Sequence, residues 1–312
     1  MRTPSFLLLY LLVLGGLLGL RGALVRWQPV PGERARTPEV NAEGVMALPP
    51  KPEGATAQAA GVGAEGTARL TPDGCRGMSP TVREVCWQAL ARQTAAADPD
   101  GALAICTEIT TPELTFECQA DVAETIAPRD RDHAAAICDP LPSVKWRGQC
   151  HFGVGLALAE VDSAYALGRC DHAEAFRLFC RHDVVGEVAL VDLDAAMAFC
   201  AREEGDALAR KTCWHGIGKY LARRSLAEAT AACDAATMDW RGNCFHGAGW
   251  GAAERDADAA LAGCLALPLY ADNCRQGVAH QLKRADPARA VALCEAIPTE
   301  TIRSRCLDFV TR

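Results

Sequence analysis

The chain has few aromatic residues and no broad excess of positive charge, and both absences limit what it can be. Only 6% of its 312 residues are aromatic although 50% are apolar, so a core must be built mainly from alanine, leucine and valine. The formal net charge is −7, which argues against a nucleic-acid-binding surface because such surfaces are strongly basic. Among the 32 basic residues arginine far outnumbers lysine, and with abundant alanine this favours a GC-rich bacterial genome.

Motifs typical of enzymes and metal sites are also missing. The sequence has no nucleophile elbow, phosphate-binding loop or Ser-x-x-Lys motif, so we expect no enzyme activity and no cofactor. It has no Cys-x2-Cys pair of the kind that binds zinc. Cys-x-His follows the second cysteine of three repeats, ending at His182, His215 and His246. Residues two apart on a helix point in different directions, so we predict no metal site.

The first seventy residues contain no cysteine and have two compositions. Residues 4–20 are uncharged and mostly apolar, and a helix of this length spans roughly 25 Å, close to the ~30 Å of a hydrocarbon core. The sequence around Gly22 and Ala23 fits a signal-peptidase site poorly. We therefore expect a membrane anchor within residues 1–26, with a cleaved signal peptide as the alternative. Residues 27–70, rich in Pro, Gly and Ala, are predicted to be a disordered linker.

The sixteen cysteines all lie in residues 71–312, and their spacing alternates strictly. The long interval is 20 residues on all seven occasions, whereas the short interval varies between 10 and 13. This predicts an internal repeat of 30 to 33 residues, the size of one helix–turn–helix unit. So many cysteines also indicate disulfides and an oxidising compartment, so we expect this body to be periplasmic or extracellular.

Two pairing schemes fit the spacing. Pairing across the 20-residue interval is possible, but it leaves Cys75 and Cys306 unpaired at opposite ends. Pairing across the short interval leaves no thiol over, and we predict it. The expected pairs are Cys75–Cys86, Cys106–Cys118, Cys138–Cys150, Cys170–Cys180, Cys200–Cys213, Cys233–Cys244, Cys264–Cys274 and Cys294–Cys306.

Each repeat has the pattern of two helices, A and B. Eight residues before the first cysteine stands a good N-cap residue: Asp98, Asp130, Asp162, Asp192, Ser225, Asp256 or Asp286. In helix B, apolar residues four before and four after the second cysteine share its face, and small residues usually follow one place later. Because one pair cannot bury its face alone, we predict an all-α solenoid of seven helix-pair repeats and an N-terminal half-repeat, stapled by disulfides.

The layout of Asp286 with Cys294 and Cys306, and of Asp130 with Cys138 and Cys150, resembles the secreted cysteine-rich Sel1-like repeats and, more broadly, tetratricopeptide-like repeats. The resemblance covers residues 75–312. It implies a right-handed helical solenoid that acts as a binding scaffold.

Polar residues recur two places after the second cysteine. They are His182, His215, His246 and Gln276. They predict a polar row opposite the buried stripe. Two interpretations stay open: the row is exposed or hydrogen-bonded between repeats, or it forms a ligand, partner or pH-sensing site.

Arginine recurs three residues before the second cysteine, in six of eight units. The residues are Arg83, Arg147, Arg177, Arg210, Arg241 and Arg303. Their guanidinium groups could pair with acids that follow the first cysteine, such as Asp139 and Asp171, or cap neighbouring carbonyls. The alternative is a row that binds an anion.

Taken together, these patterns predict a membrane-tethered or secreted scaffold with a monomeric body that binds a protein or peptide along its groove. Two alternatives remain: a cell-wall or small-ligand hydrolase or binding protein of the cysteine-rich Sel1-like type, and a purely structural spacer.

Overall fold

The computed structural model describes residues 39–40, 46–47, 70–202 and 206–312. The predicted anchor or signal peptide lies outside these residues, as does nearly all of the predicted linker. In the linker, two short strands are described, β1 (Glu39–Val40) and β2 (Met46–Ala47). Among the described residues, we find no helix with the length and apolarity needed to span a bilayer.

The body is built from alternating short and long helices, as the cysteine spacing predicts. The short A helices are α1 (Pro72–Arg76), α3 (Pro99–Cys106), α5 (Arg131–Cys138), α7 (Ser163–Arg169), α10 (Leu193–Arg202), α12 (Leu226–Ala235), α14 (Ala257–Leu265) and α16 (Pro287–Glu295). The B helices are α2 (Pro80–Ala95), α4 (Pro112–Ile126), α6 (Val144–Leu158), α11 (Ala207–Arg224), α13 (Met238–Ala253), α15 (Ala271–Leu282) and α17 (Glu300–Thr311).

One B helix is irregular. It consists of a 3-10 turn (Glu174–Phe176), α8 (Arg177–Phe179), a π-helical turn (Cys180–Val184) and α9 (Val185–Ala189). This segment, residues 174–189, occupies the place of a single long helix between α6 and α11.

Every predicted cap residue begins an A helix. In all seven, the side-chain oxygen accepts a hydrogen bond from a backbone N–H of the first turn, which satisfies a donor that would otherwise lack a partner. The acceptors are Asp98, Asp130, Asp162, Asp192, Ser225, Asp256 and Asp286. The sequence prediction of helix A is confirmed.

The cysteines pair across the short interval in all eight cases. The Cα atoms of each pair lie 5.2 to 5.7 Å apart, and all sixteen cysteines are described, none of them free. Each disulfide joins an A helix or its C-terminus to the following B helix. We call the residues between the two cysteines of a pair the bridged segment.

The buried stripe of the B helices is confirmed on one side of the cysteine and only partly on the other. The residues four places after the second cysteine are all buried: Leu90, Val122, Val154, Val184, Ile217, Ala248 and Val278. Four places before it, Trp146 and Ala209 are buried, but Val82 is 54% exposed. Val82 belongs to the first B helix, which has a neighbouring B helix on one side only.

Glycine allows the B helices of the C-terminal half to touch backbone to backbone. The closest contacts involve the glycine three residues after the second cysteine. A Cβ atom added to this glycine would lie about 2 Å from a backbone carbonyl oxygen of the preceding B helix, at the residue two places after that helix's own second cysteine. The pairs are Gly216 with His182 (2.2 Å), Gly247 with His215 (2.1 Å) and Gly277 with His246 (2.0 Å). No other residue type fits there without separating the helices.

Candidate functional site: a buried histidine row

Four histidines lie side by side on consecutive B helices, and we call them the histidine row: His182, His215, His246 and His280. Their exposed fractions are only 7, 2, 4 and 3%. The row is therefore not solvent-exposed, and of the interpretations left open by the sequence the structure shows hydrogen bonding between repeats. Gln276 is buried with the row. The burial follows from the glycine contacts, which bring the B helices too close together to leave solvent between these side chains.

The row begins at a carboxylate. Asp183 Oδ1 lies 2.6 Å from His182 Nδ1 and also accepts a hydrogen bond of 2.8 Å from the Tyr220 hydroxyl. His182 Nε2 lies 2.9 Å from His215 Nδ1. Because a carboxylate only accepts, His182 Nδ1 is the donor. Neutral His182 then accepts at Nε2 from the His215 Nδ1–H.

The second half of the row repeats this contact. The ring centroids of His215 and His246 are 5.0 Å apart, and His246 Nε2 lies 2.9 Å from His280 Nδ1. The Nε2 atoms of His215 and His280 are buried without a hydrogen-bond partner. In His215 this nitrogen carries a lone pair when the ring is neutral, so it is the place where a proton would bind.

Two aromatic rings enclose the row. Trp250 stands edge-on to His215, His246 and His280, with ring centroids 5.8, 5.9 and 6.0 Å away. Phe309 of α17 lies 4.0 Å from His280, measured between ring centroids. The rings of Trp250 and Phe309 are apolar, and neither provides a hydrogen-bond acceptor for a charged imidazole.

Burial keeps His215 and His280 uncharged at neutral pH. It lowers the pKa of His215 and His280 well below the ordinary value, and the neighbouring histidines and lysines lower it further. Burial raises the pKa of Asp183, but His182 and the hydrogen bonds from His182 and Tyr220 outweigh it, so the net direction is down and the carboxylate is ionised.

A second polar cluster lies beside the row. Lys219, whose pKa burial lowers, has its ammonium 3.3 Å from Glu254 and 5.4 Å from the centroid of Trp250. Arg223 donates to the same carboxylate at 2.6 Å. Burial raises the pKa of Glu254, but these two cations lower it overall. The cluster links α11 to α13 and holds Lys219 in an ion pair.

Three of the six arginines of the predicted row cap carbonyls of the bridged segments. Arg147, Arg241 and Arg303 each donate to the carbonyl oxygen three residues after the first cysteine, at 2.9, 2.8 and 2.9 Å. Thr115, which replaces arginine in its repeat, donates its hydroxyl to the equivalent carbonyl of Ile109 at 3.0 Å. The same geometry in four repeats favours the carbonyl-capping interpretation over an anion site.

The acidic partners of these arginines differ from those predicted. Arg147 pairs with Glu174 at 2.6 Å and Arg177 pairs with Asp206, so both bonds run to the next bridged segment. Asp139, expected to pair with arginine, lies 3.2 Å from His151 instead. Arg210 lies over the ring of Trp240, 5.3 Å from its centroid. These bonds tie neighbouring bridged segments together.

Neither a family model, nor a curated protein, nor a solved structure matches the chain. The resemblance to cysteine-rich Sel1-like repeats therefore stays a prediction, and function has to be argued from geometry.

Sequence reasoning missed several members of the site. His280 stands six residues after its second cysteine, which is one helical turn beyond the row position, and Lys219 and Trp250 hold the equivalent places. A search for polar residues at both positions would have found them. Within the described residues, we find no cluster of three potential ligands arranged to hold a metal ion.

Proposed function

We propose that the body is a rigid scaffold that binds a protein or peptide partner in an oxidising compartment, tethered by residues 1–26. Stacked helix pairs offer an extended surface to a partner. Eight disulfides suit a compartment outside the cytoplasm. The resemblance to cysteine-rich Sel1-like repeats points in the same direction.

The observation that carries the proposal is the placement of exposed apolar side chains. Most of the large exposed hydrophobic residues of the described body lie in bridged segments. They are Met78, Val82, Val85, Val144, Met238, Leu265 and Leu269. Disulfides already hold these segments, and Arg147 and Arg241 cap carbonyls in two of them, so a partner would bind there at a small cost in conformational entropy.

The hydrolase alternative draws less support. A cavity of about 290 Å³ is lined by Leu226, Ala252, Arg255, Asp256, Ala259 and Ala260. Its one carboxylate, Asp256, is the N-cap of α14. The lining holds neither a nucleophile nor a base of the kind that hydrolysis requires.

The experiment is affinity capture with the full chain from an extract of its own compartment. The test variant is Met238→Ser with Leu269→Ser, which changes neighbouring bridged segments. The control is Val161→Ser with Val191→Ser, two residues that are also exposed, at 62% and 54%, but that follow the C-terminal ends of their B helices, away from the bridged segments. We expect the test variant to lose the captured partner and the control to keep it. Equal capture by both variants would contradict a partner site on the bridged segments.

A further inference from the structure

In the C-terminal half of the body, histidine side chains join neighbouring B helices. In the first three repeats, the position two residues after the second cysteine holds Gln88, Ala120 and Phe152. From the segment 174–189 onwards, histidines take over this part of the B-helix interface and bond to each other across repeats. The two halves thus share one backbone plan but differ in what joins neighbouring B helices: Gln88 and Arg92 donate to Asp121 between α2 and α4, whereas histidines bond to each other in the C-terminal half.

We infer that the histidine row is an acid-operated latch, which joins the B helices of the C-terminal half while its imidazoles are neutral and loosens them when it takes up protons. A neutral imidazole donates from one nitrogen and accepts at the other, so a chain of them is self-complementary. A charged imidazole donates from both nitrogens and accepts at neither. Two charged neighbours therefore lose the bond that joined them and repel each other.

The acidic groups around the row cannot neutralise the charge of several added protons. The segment 174–189 contributes Asp183, which can neutralise a proton at His182, and Glu187, which acts on Tyr220. Helix α11 contributes Lys211, Lys219 and Arg223, whereas α13 contributes Glu254, which is occupied by Lys219 and Arg223.

The last two B helices add no free anion to the row. Helix α15 contributes Lys283, which lowers the pKa of His280, and α17 contributes Asp308, which pairs with Arg312. Asp183 can therefore neutralise the first proton that the row takes up, but any further proton would lie beside cations and apolar rings. The glycine contacts leave no room for water to solvate the added charge.

The direction of the pH effect follows from this arrangement. The pKa of His215 and His280 is lowered in the closed state, whereas an opened or unfolded chain has histidines with a pKa of about 6.5. Below about pH 6.5 the open state binds more protons than the closed state, so opening is favoured as the pH falls. This holds whether or not the scaffold proposal is correct, because it concerns opening and not a partner.

Hydrogen–deuterium exchange of the oxidised full chain tests the latch, with rates corrected for the intrinsic effect of pH. Between about pH 7 and about pH 5, where histidine titrates, we expect α11, α13 and α15 to lose protection by about tenfold or more. Helices α2 and α4 should not change. Uniform change along the body, or no change in α11 and α13, would overturn the inference.

A matched pair of variants isolates the row. His215→Gln copies Gln276, which is buried at the same repeat position, so the packing accommodates it. This variant should lose a large part of the pH response, whereas His133→Gln, at a partly exposed site on α5, should keep all of it. If His215→Gln fails to fold, NMR titration of the wild-type histidines decides the matter. Ordinary titration of His215 and His280 near pH 6.5 would overturn the latch, and so would an unchanged pH response in a folded His215→Gln variant.

Discussion

Gly247 of α13 lies against the backbone of α11, and a Cβ atom there would come within 2.1 Å of the His215 carbonyl oxygen. The absent side chain decides the local packing, because it lets two helix backbones meet and so brings their histidines into contact. The sequence signals this through glycines at fixed distances from the cysteines. A glycine in a helix costs up to ~1 kcal/mol relative to alanine, and the tight packing offsets that cost.

A glycine-to-alanine pair tests this account at the residue scale. Gly247→Ala should lower the free energy of unfolding by about 1–3 kcal/mol, because the new methyl group forces two backbones apart. Gly168→Ala, also in a helix but with no atom within 4 Å of the added Cβ, should raise it by roughly 0.5–1 kcal/mol. Denaturant unfolding of the oxidised protein measures both. Equal effects would contradict the backbone contact.

His151 of α6 provides a second test at this scale. Burial, opposed by Asp139, lowers the pKa of His151 to about 4. The folded pKa of His151 lies below the unfolded value of about 6.5. Its contribution to the free energy of unfolding therefore falls as the pH is lowered from about 6.5 towards 4. We expect NMR titration to show no protonation of His151 above pH 5. A midpoint near 6.5 would show that the ring is solvated.

Among the elements, the A helices are the most predictable part of the fold. A side-chain oxygen eight residues before the first cysteine caps the helix in the seven repeats from Cys106 onwards, and a proline at the next position, as in Pro99 and Pro287, fits the first turn. Both signals are local, so the sequence contains them in full. This explains why the caps and the helix lengths could be predicted without a relative.

Asp286 is a suitable position at which to measure how much an N-cap contributes to stability. It accepts a hydrogen bond of 3.0 Å from the backbone of Arg289. Asp286→Ala should cost about 1 kcal/mol of stability, whereas Asp286→Asn should be close to neutral because asparagine caps equally well. Thermal unfolding of the two variants distinguishes the cap from a general effect of charge. A loss of equal size in Asp286→Asn would contradict the cap.

Other elements depend on contacts that the sequence pattern does not contain. The two bridged segments with the shortest interval, 10 residues, each contain a non-glycine residue in the left-handed region, Glu174 and Tyr270. The first of them is followed by the π-helical turn. A shorter connection has to turn more sharply, but the interval alone does not reveal which residue turns.

The candidate site was only partly predictable for a similar reason. The spacing gave the correct alignment of His182, His215 and His246, but it could not give their burial. Burial depends on how closely two B helices approach, which the glycines determine over several repeats. Tyr220 reaches Asp183 only through that approach, because the two residues are 37 positions apart in the sequence.

At the scale of the whole molecule, disulfides compensate for a core with few aromatic residues. The buried residues are largely alanine, valine and cysteine, and each bridged segment is short. Closing such a loop contributes roughly 3 kcal/mol in the chain-entropy model, without strict additivity. The body should therefore depend on an oxidising compartment for its stability.

The compartment itself can be tested with a fusion. We expect a reporter that is active only outside the cytoplasm to be active when fused after Arg312, because the disulfides form on that side of the membrane. A reporter active only in the cytoplasm is the control. Activity of the cytoplasmic reporter alone would contradict the proposed location.

The central claim is that every helix pair is closed by its own disulfide across the short interval. Non-reducing peptide mapping tests it directly, because basic residues or Asp272 separate the two cysteines in seven of the eight pairs and Glu113 separates them in the pair Cys106–Cys118. Trypsin with Asp-N and Glu-C should release eight linked peptides, each joining two cysteines 10 to 13 residues apart. A peptide that links Cys86 to Cys106, or free thiols at both Cys75 and Cys306, would contradict the account.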